Sequence, residues 1–222
     1  MRLHALFAIA LVFAVAAPAS AQNVILMDYS GFSYETGGLG DGDPSNPGDV
    51  LVITAVADQY DELFGVDPLS QEVTIYIYDL VSAGSFDDNG IERITYTGGR
   101  IEVYEDAVLN HDWGSNPPNG LLTTFTDGQK LFEGEFTNFN LDIDSSGIGA
   151  YDGNIDGVGG TAAQICDNEA DCAYTFGGAF TKPLATQMPD GYDLQITGTL
   201  EVDAAVDTDE SSFSAVKSLF RN

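Results

Sequence analysis

Six oxygen-bearing side chains near the middle of the chain have the types and spacing of a hard-cation site. Asp142, Asp144 and Ser146, followed by Gly147, read D-x-D-x-S-G; Asp152, Asn154 and Asp156, followed by Gly157, read D-x-N-x-D-G. Oxygen donors at alternate positions, with a glycine permitting a sharp turn, are what calcium takes from a loop. Neither run has Glu at its twelfth position, where Gly153 and Ala163 stand. A helix–loop–helix site is therefore excluded, and the expectation is a calcium loop between β-strands, the second run being the better candidate. The competing reading is that Asp, Asn and Gly make good turns, and that a chain with 35 acids produces such runs by chance. Asp41, Asp43, Asn46 and Asp49 form a weaker set of the same kind.

The other chemistry-bearing residues are few. Arg2, the apolar run Leu6 to Ala17 and the small-x-small triplet Ala19-Ser20-Ala21 mark residues 1–21 as a secretory signal peptide. The apolar run is short for a membrane span and lacks a stop-transfer flank, so no transmembrane anchor is expected. His4 falls in that leader, which leaves His111 as the one histidine of the mature chain. A Ser-His-Asp triad, a Cys-His pair or a multi-histidine zinc site must pass through His111 or not exist. His111 and Trp113, in His111-Asp112-Trp113, are candidates for a sugar or ligand platform; the bland fate of a lone Trp is packing. Cys166 and Cys172, a near pair in a polar loop of an exported chain, read as a disulfide. There is no G-x-S-x-G elbow and no glycine-rich phosphate loop with Lys. Carboxylate pairs such as Glu133 and Glu135 can always be nominated for glycoside hydrolysis in so acidic a chain, and a solvated strand face is their expected fate.

The elements that must hold these residues read as strands. Tyr192, Leu194, Ile196, Gly198, Leu200 and Val202 alternate with Asp193, Gln195, Thr197, Thr199, Glu201 and Asp203, the pattern of an antiparallel strand with one wet face. Val73, Ile75 and Ile77 alternate similarly. Ile91 to Asp106 reads as strand, Gly98-Gly99, strand: a hairpin or a sharp bend. Leu131 to Ile143 is a long strand whose apolar parity changes between Phe136 and Phe139, which predicts a bulge near Asn138. Val50 to Ala57 and Tyr174 to Phe180 complete the set. Asp- and Gly-rich turns are expected at 37–49, 87–90, 114–120 and 145–160. Strand after strand with turn punctuation predicts an all-β fold, a single antiparallel β-sandwich of jelly-roll type over residues 22–205. Residues 206–222 read as a tail or a short helix, capped by Asp209, with Phe213, Val216 and Phe220 on one face.

The 222 residues carry 35 Asp+Glu against 7 Lys+Arg, a formal net charge of −28. Nucleic acid and anionic membrane surfaces need a basic face and are excluded as partners. With 44% hydrophobic residues, 13 Phe and 10 Tyr, the chain has the material for a core.

Several stretches resemble a family of uncharacterised secreted bacterial β-proteins that often carry a C-terminal sorting tail with a Pro-Glu-Pro motif. They are 31–38 (GFSYETGG), 47–51 (PGDVL), 96–106 (YTGGRIEVYED), 116–119 (NPPN), 125–128 (FTDG) and 189–193 (PDGYD). The resemblance implies an exported surface or matrix protein and brings no catalytic residues. The chain departs from the family in lacking the Pro-Glu-Pro motif, the apolar span and the trailing Arg cluster. The expectation is a secreted or extracellular protein (the periplasm being the alternative), non-enzymatic, structural or adhesive, calcium-stabilised, with polysaccharide or other matrix components as partners. A carbohydrate-binding module is the alternative, and a polysaccharide-acting hydrolase the remote one.

Overall fold

The apolar/polar alternation seen at Tyr192 to Asp203 recurs along strands that hydrogen-bond to two neighbours each, and that double pairing decides the architecture. The computed structural model describes residues 22–37, 39, 44–60, 66, 67, 70–114, 122–162 and 172–204. The strands are β1 (Gln22–Glu35), β2 (Val50–Tyr60), β3 (Glu72–Asp88), β4 (Ile91–Thr97), β5 (Arg100–Asp106), β6 (Gln129–Asp144), β7 (Ile148–Gly159), β8 (Cys172–Thr181) and β9 (Leu194–Ala204). Each pairs antiparallel with its sequence neighbour, except that β4 and β5 succeed each other in one position between β3 and β6. The last strand pairs with the first, Leu194 opposite Ser33 and Val202 opposite Val24. The sheet thus closes into an eight-position up-and-down barrel.

This corrects the expected sandwich. All-β holds, but there is one closed sheet and not two stacked ones. Alternation says that one strand face is buried; it is the same for a strand facing a second sheet and for one facing a barrel axis. The deciding contact joins strands at opposite ends of the chain, where no local signal exists. The expected signal peptide (residues 1–21), the 206–222 segment and Cys166 lie outside the described residues. Among the described residues there is no disulfide, and Cys172 is the first residue of β8.

Closure needs curvature; register shifts occur on several strand pairs, and one line of irregularities runs across adjacent strands. In β3, Asp79 has φ 60°; opposite it, Gly98 and Gly99 have φ 68° and 98°; next to them, β6 shifts register between Phe136 and Asn138. Gly98-Gly99 is therefore a bend, with β4 and β5 running on in one direction, and the Phe136 amide bonds the Gly99 carbonyl at 3.0 Å across it. Three adjacent strands kink at one level, which is how a twisted sheet turns a corner. The β3–β4 hairpin closes through Asn89-Gly90, both at positive φ, the two-residue turn whose twist matches the strands.

The barrel is filled by aromatic rings. Tyr29 stacks on Phe176 with centroids 4.5 Å apart, Phe136 meets Phe139 edge-on at 5.4 Å, and Phe132 leans on Tyr174 at 4.8 Å. Each such ring contributes about 1.5–3 kcal/mol by leaving water. Inward glycines make the room: a Cβ on Gly153 would lie 2.8–2.9 Å from Phe139 and Phe136. Outside, Asp152, Asn154 and Asp156 of β7 and Gln195 and Thr197 of β9 are exposed.

Candidate functional site

The second oxygen-rich run does not form a loop. Ile148 to Gly159 is strand β7, and Asp152, Asn154 and Asp156 project outward while Tyr151, Gly153 and Ile155 face the core. D-x-N-x-D-G is here the period-2 pattern of a strand, its glycines serving the rings inside and not a turn. Asn154 and Asp152 contact neighbours on β6: Asn154 Nδ2 donates to Asn138 at 2.8 Å, and Asn140 Nδ2 to Asp152 at 3.5 Å. In the first run, Asp142 and Asp144 end β6 and Ser146 lies in the turn to β7. Asp144 Oδ1 accepts from the Ser146 amide (2.8 Å), the Ser146 hydroxyl (2.6 Å) and the Ile148 amide (3.1 Å). These bonds, the Ser146 hydroxyl first, hold the Asp144 carboxyl below its usual range. Among the described residues no three His, Cys, Asp or Glu side chains converge as a metal site would require. Of the weaker set, Asp41 and Asp43 lie outside the described residues, and Asp49 accepts from the Asn46 amide at 2.8 Å.

His111 and Trp113 do come together, their rings 4.9 Å apart. They belong to a strap, the segment after β5, that lies over the outer face of β1–β3. Glu72 is buried beneath it and accepts from the Asn110 amide (2.6 Å) and the His111 amide (3.0 Å); its other oxygen meets His111 Nδ1 at 2.6 Å. Trp113 Nε1 donates to Thr54 at 3.1 Å, and its ring packs edge-on against Phe32 at 5.2 Å. Tyr34, Val52 and Tyr192 complete a second apolar cluster there, outside the barrel. The indole's donor is thus engaged and its ring is partly buried against this cluster, while His111 beside it is exposed.

Two groupings escaped the sequence reading. The first is a grid on the outer face of β3, β5 and β6. Its rungs are Thr74–Tyr104–Lys130, Tyr76–Glu102–Glu133 and Tyr78–Arg100–Glu135, set by the strand registers. The Tyr76 and Tyr78 rings stack at 4.8 Å and 17°. Glu102 receives Lys130 Nζ at 2.6 Å, Tyr104 Oη at 2.6 Å and Tyr78 Oη at 3.3 Å. Arg100 donates to Glu135 at 2.7 Å and Glu133 at 3.4 Å. Burial raises the Glu102 pKa, but the bonds from Lys130 and Tyr104 outweigh it and hold the carboxyl below the usual range. Burial, with the Glu102 carboxylate, pushes Tyr104 up to about 12; burial, with neighbouring phenols, pushes Tyr76 likewise to about 12.

The second grouping lies inside, at the barrel end where β1 finishes. Glu35 is 5% exposed. Its Oε1 accepts from Ser45 Oγ at 2.8 Å and Tyr96 Oη at 2.9 Å, and the Ser45 and Ser82 hydroxyls share a hydrogen bond of 2.6 Å. Its Oε2 is buried with no hydrogen-bond partner among the described residues. Burial first, and then the Asp49 and Asp193 charges, raise the Glu35 carboxyl above the usual range against the opposing hydroxyl bonds. Glu35 was legible only as one residue of a Gly-Phe-Ser-Tyr-Glu run. The inward parity of β1 would have flagged it, had β1 been read as a strand.

Comparison of the chain with protein-family models, with curated proteins and with solved structures finds no match to any of them.

Proposed function

We propose that the protein is an exported, non-catalytic adhesive barrel that holds extracellular polysaccharide on the outer face of β3, β5 and β6. The observation that carries this is the grid: stacked Tyr76 and Tyr78 beside Tyr104, Arg100 and Lys130, with every basic group already paired to a carboxylate. Aromatic rings pack on the C–H faces of sugars, and paired charged groups offer donors and acceptors to vicinal hydroxyls without moving. An open outer sheet face suits an extended polymer, whereas a small ligand wants a concave pocket. The rings that fill the interior argue against a central ligand chamber. A net charge of −28 repels uronic-acid and sulfated chains, so the reading commits to neutral or amine-bearing glycans.

Affinity electrophoresis through gels containing cellulose derivatives, xylan, glucan or chitosan tests the reading. Retardation by one neutral or amine-bearing polymer, reduced about fivefold in Tyr78→Ala, is expected. Equal mobility in all of them would remove it.

A further inference from the structure

The Glu35 group joins four parts of the chain: the end of β1, the β1–β2 loop through Ser45, β3 through Ser82, and β4 through Tyr96. The loop has further ties here. The Ser45 carbonyl accepts the Ser85 amide at 2.9 Å, and the Gly48 amide donates to the Ser82 carbonyl at 2.9 Å. The Ser82 hydroxyl also accepts from the Gly84 amide at 2.9 Å. Among the described residues, the side-chain links between Glu35 and this loop pass through neutral hydroxyls.

Among the described residues, the charges that act on Glu35 are acids. Asp49 faces it from the β1–β2 loop and Asp193 from the β8–β9 connection, where Asp193 Oδ2 accepts the Glu35 amide at 2.9 Å. Tyr96 faces it from β4, and Glu92 of the same strand acts on Tyr96. No basic side chain bonds Glu35 among the described residues. A buried carboxylate with an empty oxygen and only acids nearby is costly when ionised. Two species relieve that cost, a cation or a proton. A multidentate cation needs several free oxygens, yet Asp49 Oδ2 and Asp193 Oδ2 are engaged by backbone amides, and among the described residues no three acids converge. A proton needs only Glu35 Oε2.

We propose that Glu35 is the proton-binding element of a clasp that fastens residues 44–49, the described stretch leading into β2, to this end of the barrel. With the proton on, the carboxyl is neutral, and the Ser45–Glu35–Tyr96 bonds hold residues 44–49 in place. With the proton off, the buried charge beside Asp49 and Asp193 favours the arrangement in which residues 44–49 come away and water reaches the carboxylate. Opening then releases one proton. The opening constant should rise about tenfold per pH unit between the ordinary Glu value of about 4.3 and the titration point of Glu35 in the closed barrel.

Hydrogen exchange of the full chain, read on peptides covering residues 44–50, tests this at several pH values. The wild type is compared with Glu35→Gln at each pH, so that intrinsic exchange rates and the general charge effect cancel. Loop protection in the wild type should fall, relative to the variant, as pH rises through that window. A carbon-13 carboxyl titration of the wild type gives a readout independent of any variant, and should place Glu35 above the other glutamates. Parallel protection in the two proteins, or a Glu35 titration in or below the ordinary range, would overturn the clasp. So would calcium restoring full protection at high pH, since a cation and not a proton would then be the neutralising species.

Discussion

The hydroxyls of Tyr29 and Tyr151, 122 residues apart in sequence, meet at 2.9 Å inside the barrel. Tyr29 also reaches the Gly177 carbonyl at 3.3 Å, and Tyr151 the Thr197 carbonyl at 3.1 Å. Two protons serve three contacts, so at any moment one contact goes without its proton. Burial raises both phenols well above their ordinary values, so both stay neutral across the stable range of the protein. Tyr151→Phe should cost about 1–2 kcal/mol, the range for losing a buried hydrogen bond while the partner keeps an alternative. Tyr29→Phe should cost a similar amount. The double variant should cost less than the sum, because the shared contact is lost once. Urea unfolding of the four proteins measures the coupling; strict additivity would mean that the two hydroxyls do not interact.

The same pair explains a glycine. A Cβ on Gly198 would lie 2.6 Å from the Tyr29 hydroxyl, 2.8 Å from that of Tyr151 and 2.2 Å from the Gly177 carbonyl. Both hydroxyls and a backbone carbonyl would have to move together. Gly198→Ala should destabilise the barrel by about 1–3 kcal/mol through overpacking, and thermal unfolding checks the loss.

The bend at Gly98-Gly99 allows a sharper contrast. Gly99 and Gly90 have similar positive φ, 98° and 89°. At Gly90 a Cβ meets nothing within 4 Å, whereas at Gly99 it would lie 2.4 Å from Leu80 Cδ2. Gly90→Ala should therefore cost only the backbone term, about 1–2 kcal/mol. Gly99→Ala should cost that plus the displacement of a buried Leu at the kink that bends the sheet. Denaturation midpoints of the two variants order the effects, and equal losses would mean that the Leu80 contact gives way freely.

These positions show what was legible beforehand. The β9 alternation, the β6 bulge and the Asn-Gly turn were readable because each is a local pattern with a local cause: pleat, parity and positive φ. Barrel closure was not, since Ser33 meets Leu194 across most of the chain. The β7 glycines misled for a physical reason. Gly153 and Gly157 look like turn residues in sequence, but they are absences that Phe136, Phe139 and Tyr174 fill from other strands. The grid was invisible because its rungs combine three strands whose registers the sequence does not state. Glu133 and Glu135 were rightly placed on one strand face, while their partners Lys130 and Arg100 could not be assigned.

The strap has a built-in reporter, because Trp113 is the only tryptophan. Its environment depends on Glu72, which ties down two consecutive backbone amides and the His111 ring. Glu72→Ala removes three acceptor contacts and should release the strap while the barrel strands remain paired. The expected signature is a red-shifted Trp emission with little change in far-ultraviolet dichroism. An unshifted emission would place the hold on Trp113 in Thr54 and Phe32 alone.

The Lys130–Glu102 pair at the centre of the grid makes a prediction whose sign follows from the two proton affinities. Glu102 titrates below its unfolded value, despite burial, so its contribution is present above about pH 4.3 and is lost as pH falls through the folded value. Lys130 titrates above its ordinary range: the bonds from Glu102 and Glu133 outweigh a desolvation that acts the other way. Its contribution is full below about pH 10.4 and is lost as pH rises through the folded value. The coupling should therefore form a plateau across neutral pH with a fall at each end. The Glu102 side chain is 12% exposed and that of Lys130 31%, so screening keeps the coupling to about 1 kcal/mol. A double-mutant cycle with Glu102→Gln and Lys130→Met, measured by urea unfolding at pH 3 and pH 7, should give that value at pH 7 and nearly nothing at pH 3. A coupling that survives acid would mean that the pair is held by packing of the Lys130 stem over Tyr104, where the ammonium lies 5.7 Å from the ring centre, and not by charge.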